Sequence, residues 1–481
     1  MYNIAVIGCG ITGAAAAYYL SKYKLSCVVI EKDNDVCNAT TKANSAIIHA
    51  GYDPEPDTLM ARLNVRGNEL AQDICKKLDV EYKKIGSYVV AFSQKELETL
   101  EILKKRGEQN GVKGLEIIDR DTLRIEEPNI SPDALAALFA PSAAIVDPWG
   151  YGLAMAETAV ENGCDLMLDT CVNGIEKLSD RWIISTNKGS IEAEYIINAA
   201  GVFSDKVHNM ALAEKFKIIP SAGEYYLLDK SEGKRVNHII FQCPSADGKG
   251  VLVSPTVHGN LIVGPNAKNR ADNPEDVSCS AKGLDEVREK AVKSVPAISF
   301  RDNIRNFAGV RANSDADDFI IEMSGDKFID AAGIKSPGLT AAPAIAEYII
   351  ELLKQDGFVF EEKENFKDSR KVVRFHSLSP AEKNALIKAR PEYGRVICRC
   401  ETITEGEIID AIHRPITTCS LDGIKRRTGA GMGRCQGGFC GPRVLEILAK
   451  QLGKKPEEIL QDKNGSFILT GKTKQEGSSN V

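Results

Sequence analysis

The chain lacks any stretch of roughly 20 uninterrupted apolar residues, the length a membrane-crossing helix needs. Its best apolar run, Ala134 to Val146, is broken by Pro141. It also lacks a long basic block. Sixty-one Lys and Arg against 67 Asp and Glu leave a formal net charge of −6, which excludes the electrostatic signature of a nucleic-acid-binding protein. A basic start and a cleavage site are missing at the N-terminus, so Met1 to Gly8 reads as a first strand and not as a secretory signal. A disulfide framework is missing too. Thirteen cysteines is an odd count, and Cys27, Cys75, Cys164 and Cys171 stand singly in apolar or helical contexts. They are expected to be packed thiols in a reducing cytoplasm. What remains is a globular composition, 43% hydrophobic and 27% charged, over 481 residues, enough for two or three domains.

The segment from Met1 to Glu31 forms a compact βαβ pattern. Ile4 to Ile7 is a buried strand, Gly8-Cys-Gly10-Ile-Thr12-Gly13 a tight glycine turn, Ala14 to Tyr23 an Ala-rich helix, and Cys27 to Ile30 a second strand that ends at Glu31. Gly8 permits the turn, and Gly10 lets a pyrophosphate approach the backbone. Gly13 and Ala17 let the helix pack against the sheet, while the helix N-terminus attracts phosphate. Glu31 closes the second strand, where a carboxylate accepts from ribose hydroxyls and disfavours a 2′-phosphate. This predicts dinucleotide binding without separating FAD from NAD.

Farther on, helical patterns (Leu59–Leu78, Lys95–Asn110, Pro148–Asn162, Ala341–Leu353) alternate with strands (Asp165–Leu168, Val172–Leu178, Arg181–Thr186, Tyr195–Ala199, and one starting at Phe328). The stretch from Pro220 to Arg311 is rich in strands and turns. The expected fold is α/β (α+β overall): a Rossmann-like domain interleaved with a sheet-based second domain, plus a small helical four-cysteine domain. The expected divisions are 1–365 for the large part, with nucleotide-binding pieces at about 1–80, 148–219 and 321–365 and substrate-domain pieces at 81–147 and 220–320. A charged, aperiodic linker at 366–392 precedes the cysteine domain at 393–455, and a polar tail, disordered from Gly471, fills 456–481.

Near the C-terminus Cys398-Arg-Cys400 makes a Cys-x-Cys pair, and Cys435-Gln-Gly-Gly-Phe-Cys440 makes a second, wider pair farther on. Four thiolates so spaced hold a [2Fe–2S] cluster or a zinc ion. Zinc sites more often use Cys-x2-Cys hairpins, which favours iron–sulfur. Gly423 to Leu445 contains no acid but has Lys425, Arg426, Arg427, Arg434 and Arg443, expected to counter the charge of an anionic cluster. Cys419 is expected to be a spare, packed thiol.

The glycine turn with Glu31, Asn198-Ala-Ala-Gly201 and Ser336-Pro-Gly338-Leu339-Thr340 resemble FAD-dependent oxidoreductases of the D-amino-acid oxidase type. Within that superfamily, Thr41-Lys-Ala-Asn-Ser45-Ala-Ile-Ile-His49, Pro220 to Leu228, Ser254-Pro-Thr-Val-His258 and Phe307-Ala-Gly-Val-Arg311 resemble glycerol-3-phosphate dehydrogenases and oxidases and L-2-hydroxyglutarate dehydrogenases. The C-terminal segment resembles the bacterioferritin-associated-ferredoxin-like [2Fe–2S] domain that is fused to anaerobic glycerol-3-phosphate dehydrogenase large subunits.

The resemblance implies FAD as cofactor, held by Gly8, Gly10, Thr12, Gly13, Glu31, Thr40, Thr41, Val172, Gly201, Gly338, Leu339 and Thr340, with Thr340 opening a helix toward the flavin. It implies His49 as catalytic base and Arg311 as catalytic anion clamp, with Ser45, Lys268 and Ser336 beside a small anionic substrate. The implied reaction is hydride transfer from sn-glycerol 3-phosphate to flavin N5, with electrons passing through the cluster to a protein subunit or quinone. The rivals are another small anion (L-2-hydroxyglutarate or an amino acid) and a non-catalytic electron-transfer subunit. The implied location is the cytoplasm, or the inner face of the membrane through a partner.

Overall fold

A computed structural model describes residues 1–244 and 250–471. The chain divides into two compact units. The first contains residues 1–32 and 36–371, and the second contains 33–35 and 372–481.

The first unit is built on two large sheets and a small one, in which Ala144–Val146 pairs with Ile47–Ile48 and Tyr82–Lys84. In the first large sheet, Tyr2–Ile7 lies between Cys27–Ile30 and Gly189–Asn198, all parallel, and Phe328–Ala332 pairs parallel to the far side of Gly189–Asn198. Cys27–Ile30 is followed by Asp165–Met167, also parallel. Strands buried on both faces read as continuous apolar runs, which is why Ile4 to Ile7 and Val28 to Ile30 carry no polar alternation. The helices Ile11–Leu20, Pro148–Glu161, Leu59–Lys77 and Gly338–Gln355 pack as a cluster, with Ile11–Leu20 against the sheet. Val172–Lys177, Trp182–Thr186 and Gly189–Asn198 form an antiparallel meander. The third of these strands starts at Gly189, ahead of the Tyr195 start expected, because its polar first half pairs with Trp182–Thr186.

The second sheet runs in the order Lys268–Asn269, Ile218–Leu228, Leu261–Gly264, Leu252–Pro255, Ile239–Gln242, Ser87–Ala91, Ala136–Ala140 and Glu116–Asp119, with Asn303–Ser314 along the other edge of Ile218–Leu228. The two sheets interleave along the chain, as expected for this fold class. The apolar run Ala134 to Val146 becomes two strands, Ala136–Ala140 and Ala144–Val146, turning at Pro141.

The start of the expected 366–392 linker, with the residues just before it, is packed and not loose. Phe360 packs on Tyr23 (ring centroids 4.6 Å apart), Phe358 on Tyr195 and Phe366 on Tyr18, while Lys24 N–H donates to Glu361 O at 2.7 Å. The aromatic residues make this segment a strap on the first unit through Lys371. Of 366–392, the rest carries a helix, Pro380–Ala389, opened by a Ser379/Glu382 capping box.

The second unit has a hairpin of Val396–Cys398 and Ile403–Thr404, then helices Glu405–Ile412, Leu421–Thr428 and Gly441–Leu452 around Ile408, Ile412, Ile424 and Leu448. Leu460 bridges to Ser420 and to Phe467, so the tail through Gly471 is partly docked. The disorder expected beyond Gly471 falls outside the described residues. Cys27, Cys75 and Cys164 are buried as expected, but Cys171 is exposed at the start of the meander.

A buried polar knot holds the end of strand Phe328–Ala332. Asp330 is fully buried. It accepts from Asn198 Nδ2 at 2.7 Å and lies 2.6 Å from His208 Nδ1, while His208 Nε2 lies 2.9 Å from Ala213 O. Removing the carboxylate strands these polar groups without water. Asp330→Ala is expected to lower unfolding stability by about 2–5 kcal/mol, read as a lower urea midpoint of the FAD-loaded protein, with Asp330→Asn losing less.

Candidate active site and cluster loop

The nucleotide end is set by close approaches. Gly8 has φ +96°, and a Cβ on Gly13 would stand 1.9 Å from Gly8 O, so the turn and the helix meet with no room for side chains. Gly10 is different. A Cβ there would meet only Thr41 Oγ1, at 3.5 Å, so nothing in the chain itself requires the glycine. The open space lies at the N-terminus of Ile11–Leu20, which has no side-chain cap, and suits a phosphate. Thr12 and Thr41 are buried, and Thr41 Oγ1 accepts from Ile11 N–H at 2.9 Å. Thr40 Oγ1 donates to Val310 O. Glu31 accepts from Cys9 N–H at 2.7 Å, closing the acid against the turn. Thr170 N–H donates to Glu31 O, which brings Val172 beside that end of the sheet. Ala199 N–H donates to Ile7 O, and Gly201 follows with φ +58°. A turn, an acid and an uncapped helix arranged this way fit the pyrophosphate and ribose of FAD.

At the other end, Thr340 does more than open a helix. The helix begins at Gly338, earlier than expected, and Thr340 does not cap it. Instead Thr340 Oγ1 accepts from His49 N–H at 2.9 Å and lies 3.3 Å from Ile47 O, so it pins the strand that leads to His49. A Cβ on Gly338 would stand 2.5 Å from Ile334, and Leu339 is half-buried. Ser336 Oγ lies 3.4 Å from His49 Nε2, and the imidazole stacks on Phe241 at 5.8 Å.

Ser45 Oγ lies 3.2 Å from Tyr225 OH, and Tyr225 stacks flat on Phe307. Tyr225 and Gly223 are two apart on one strand and so share a face of the sheet. A Cβ on Gly223 would stand 2.1 Å from Arg311 Nη2, so the guanidinium lies over Gly223 on the Tyr225 side. Glu224 points the other way, onto Ser280 and Asn266. Arg311 Nη2 donates to Asn266 O at 3.1 Å, and among the described residues no carboxylate, nearby Asp315 and Asp317 included, pairs with it. Lys268 differs from expectation. It sits on the short strand Lys268–Asn269 and pairs with Glu286 at 2.7 Å, so its charge is already matched. Thus Ser45, Tyr225 and Arg311 gather on one side and His49, Ser336 and Phe241 on the other, joined by the stretch from Ser45 to His49. Ala46, inside that stretch, holds φ +58°, a conformation costing about 1–3 kcal/mol. Sequence reasoning does not single out Tyr225, Phe241 or Ala46. Of the three, Tyr225 and Ala46 stand in segments noted above for their resemblance, and Phe241 does not.

The four cysteines stand as two pairs. Cys400 and Cys435 sulfurs are 3.6 Å apart, and the Cys398 and Cys440 thiols hydrogen-bond to each other. A tetrahedral zinc would require all four sulfurs about 3.8 Å apart. Among the described residues, three donor atoms converge within 4.8 Å only at Glu81, Asp147 and His258, away from these cysteines. Two pairs suit two irons. Backbone N–H groups also point at the sulfurs: Gly431 and Glu401 at Cys398, Phe439 and Gly437 at Cys435. The Cys440 thiol, opposed by burial and helped by these N–H groups, holds Cys398 down to about 6. Cys419 is half-buried, and its carbonyl accepts from Leu460 N–H.

The counter-charge expectation needs correction. Arg426 and Arg427 are buried and bind Asp35, a residue of the same unit: Arg427 through Nη1 (2.7 Å) and Nη2 (2.8 Å), Arg426 at 3.1 Å. Burial raises the Asp35 carboxyl, but the two guanidiniums prevail and hold it below the usual carboxylate range. Arg426 also binds Asp462. These two side chains are buried in the fold, whereas Lys425 is half-buried and Arg434 and Arg443 are exposed.

A nucleotide turn on a parallel sheet, a pocket with His49, Ser336 and Arg311 in the same unit, and a four-thiolate module together define a flavin oxidoreductase with an iron–sulfur domain. The chain belongs to the family of FAD-dependent oxidoreductases, which it matches over residues 3–352, and residues 396–450 match the BFD-like [2Fe–2S] binding domain. Its cofactors are FAD and a [2Fe–2S] cluster. It is 49% identical, over 99% of its length and the whole of the relative, to a glycerol 3-phosphate dehydrogenase of Caloramator mitchellensis. It is 33% identical to a glycerol 3-phosphate oxidase of Mycoplasma genitalium, over 73% of this chain and 94% of that one. The FAD-bound L-α-glycerophosphate oxidase of Mycoplasma pneumoniae superposes with a TM-score of 0.74 at 31% identity, covering 78% of this chain and 99% of that one.

Proposed function

We propose that the protein oxidises sn-glycerol 3-phosphate to dihydroxyacetone phosphate, and that the electrons leave through the [2Fe–2S] cluster to a protein partner or quinone. The observation that carries this reading is the guanidinium of Arg311, without a carboxylate of its own among the described residues, in the same unit as the His49–Ser336 couple. The full-length likeness to a glycerol 3-phosphate dehydrogenase supports it.

The reaction removes a hydride from the secondary carbon and a proton from its hydroxyl. Bound FAD supplies the acceptor for the hydride. In this reading His49 Nε2 takes the hydroxyl proton, and Ser336 Oγ fixes the hydroxyl beside it. Arg311 binds the phosphate in bidentate fashion, and Ser45, held by Tyr225, contributes a neutral contact. Thr340 keeps His49 in place through its backbone N–H. The uncapped N-terminus of Gly338–Gln355 favours negative charge at the reduced ring. Gly8, Gly10, Thr12, Gly13, Glu31, Thr40, Thr41, Val172, Gly201, Gly338 and Leu339 hold the cofactor, while Lys268 is left to Glu286.

The cluster supports a dehydrogenase over a plain oxidase, since reduced flavin reacts with oxygen unaided. Among the described residues no helix is long and apolar enough to cross a membrane, and in this reading a quinone is reached through a partner. The test is an anaerobic titration with glycerol 3-phosphate, L-2-hydroxyglutarate and amino acids, followed optically and by EPR. Glycerol 3-phosphate is expected to bleach the flavin first and then to produce the reduced-cluster signal. No bleaching with glycerol 3-phosphate rejects the substrate, and bleaching by another member of the panel names its replacement.

A further inference from the structure

The cluster loop presents one side chain that the fold does not use. Phe439, between Cys435 and Cys440, is 85% exposed. A lone exposed apolar residue is ordinary on any surface, so exposure by itself decides nothing. Its position is what distinguishes it. The Phe439 backbone N–H bonds to the Cys435 sulfur, which ties the residue that bears the ring to a cluster ligand. The two thiol pairs are also unequal. Cys398 and Cys440 are buried, whereas Cys400 is exposed and Cys435 half-exposed. The Cys400/Cys435 pair therefore faces solvent, and Phe439 stands on that edge.

The exposed charges of the cluster loop share one sign. From Gly429 to Leu445 the only charged residues are Arg434 and Arg443, both exposed, and Arg399 is exposed between the first two cysteines. The facing acid is Glu401, half-buried and turned toward Gly433. Arg426 and Arg427 take no part, because Asp35 holds them. An exposed aromatic side chain in a loop whose exposed charges are arginines is a local reversal of charge on a protein of net charge −6.

We propose that Phe439, with Arg399, Arg434 and Arg443, is the docking surface for a one-electron carrier protein that presents carboxylates around an apolar recess at its own redox centre. The ring is the anchor that fills the recess, and the arginines steer the encounter and set its register. One aromatic side chain and three arginines are too little for stable attachment to a bilayer, which argues for a protein. Each turnover balances as one glycerol 3-phosphate oxidised by two electrons, two oxidised carriers reduced by one electron each, and two protons released.

The proposal rests on the cluster lying on the electron path. The probes are soluble cytochrome b5, whose haem edge is acidic, and cytochrome c, whose haem edge is basic, each with the full-length holoprotein. Calorimetric titration of the oxidised proteins is expected to show binding of cytochrome b5 and not of cytochrome c, weakening as salt rises from about 20 to about 300 mM. Phe439→Ala is expected to weaken that binding about tenfold or more and to lower kcat/KM for cytochrome b5 reduction in parallel, with flavin bleaching by glycerol 3-phosphate unchanged. Arg434→Glu with Arg443→Glu is expected to reverse the preference toward cytochrome c. Equal binding of both cytochromes, binding of neither, or a Phe439→Ala protein that binds cytochrome b5 as the parent does would overturn the surface. So would Phe439-dependent sedimentation with phosphatidylglycerol vesicles, which would make the ring a lipid contact. If a Cys435→Ser protein still reduces cytochrome b5, the electron-path reading fails instead.

Discussion

Alanine in place of His49 lowers the rate of flavin bleaching by glycerol 3-phosphate by about 10²–10⁴-fold, the range expected when a positioned general base is lost. The expectation rests on the ring being held on several sides. Thr340 fixes its backbone N–H, Asn68 donates to its carbonyl at 3.0 Å, Phe241 stacks on the ring, and Ser336 faces Nε2. So many constraints suit a group whose nitrogen must meet one proton. Stopped-flow bleaching under anaerobic conditions measures the effect. FAD content should stay near one per chain, because Thr340 holds His49 through its backbone N–H, which alanine keeps. A fall of only about threefold would leave His49 as a packing partner of Phe241 and would move the search for the base elsewhere.

The second large effect is a complete loss of one half-reaction with the other retained. Cys435→Ser removes one of the two solvent-facing thiolates, and a two-iron cluster requires all four. Reduction of an external one-electron acceptor is expected to fall to its background rate, and the EPR signal of the reduced cluster to disappear. Bleaching of the flavin by substrate is expected to continue, since His49, Ser336 and Arg311 lie in the other unit. Acceptor turnover that survives loss of the EPR signal would mean that the cluster holds its domain together and carries no current. Wild-type protein assayed in the same buffers fixes the reference for both half-reactions.

How far the sequence can be read follows how local each feature is. The strand, glycine turn, helix and acid between Met1 and Glu31 are signalled by neighbours in the chain, so they are legible directly. The cysteine pairs are legible by spacing, and what holds them as two pairs is not. The pocket is legible only in part. His49 and Ser336 come from segments 287 positions apart, and Tyr225 meets Ser45 across 180. No periodicity reports such meetings: Tyr225 lies on the second sheet, His49 follows the short strand Ile47–Ile48, and Ser336 lies in the loop after Phe328–Ala332 of the first sheet. Lys268 looks available in the sequence because Glu286, its partner, belongs to a helix that the turn-rich composition of that region obscures. The basic run at Arg426 and Arg427 misleads for the same reason, since its counter-ion lies 391 positions away.

That counter-ion bears on how the protein can be taken apart. Asp33 to Asp35, a piece of the cluster-bearing unit, is encoded shortly after the glycine turn, separated from the rest of that unit by the whole oxidoreductase. A gene cut ahead of Val372 thus gives a fragment whose Arg427 loses the Asp35 carboxylate and keeps the carbonyls of Gly423 and Ile416. The iron–sulfur module is not a cassette that can be appended or removed at one junction. Any recombination that moves it intact must carry an aspartate from the front of the message together with the helices at its back.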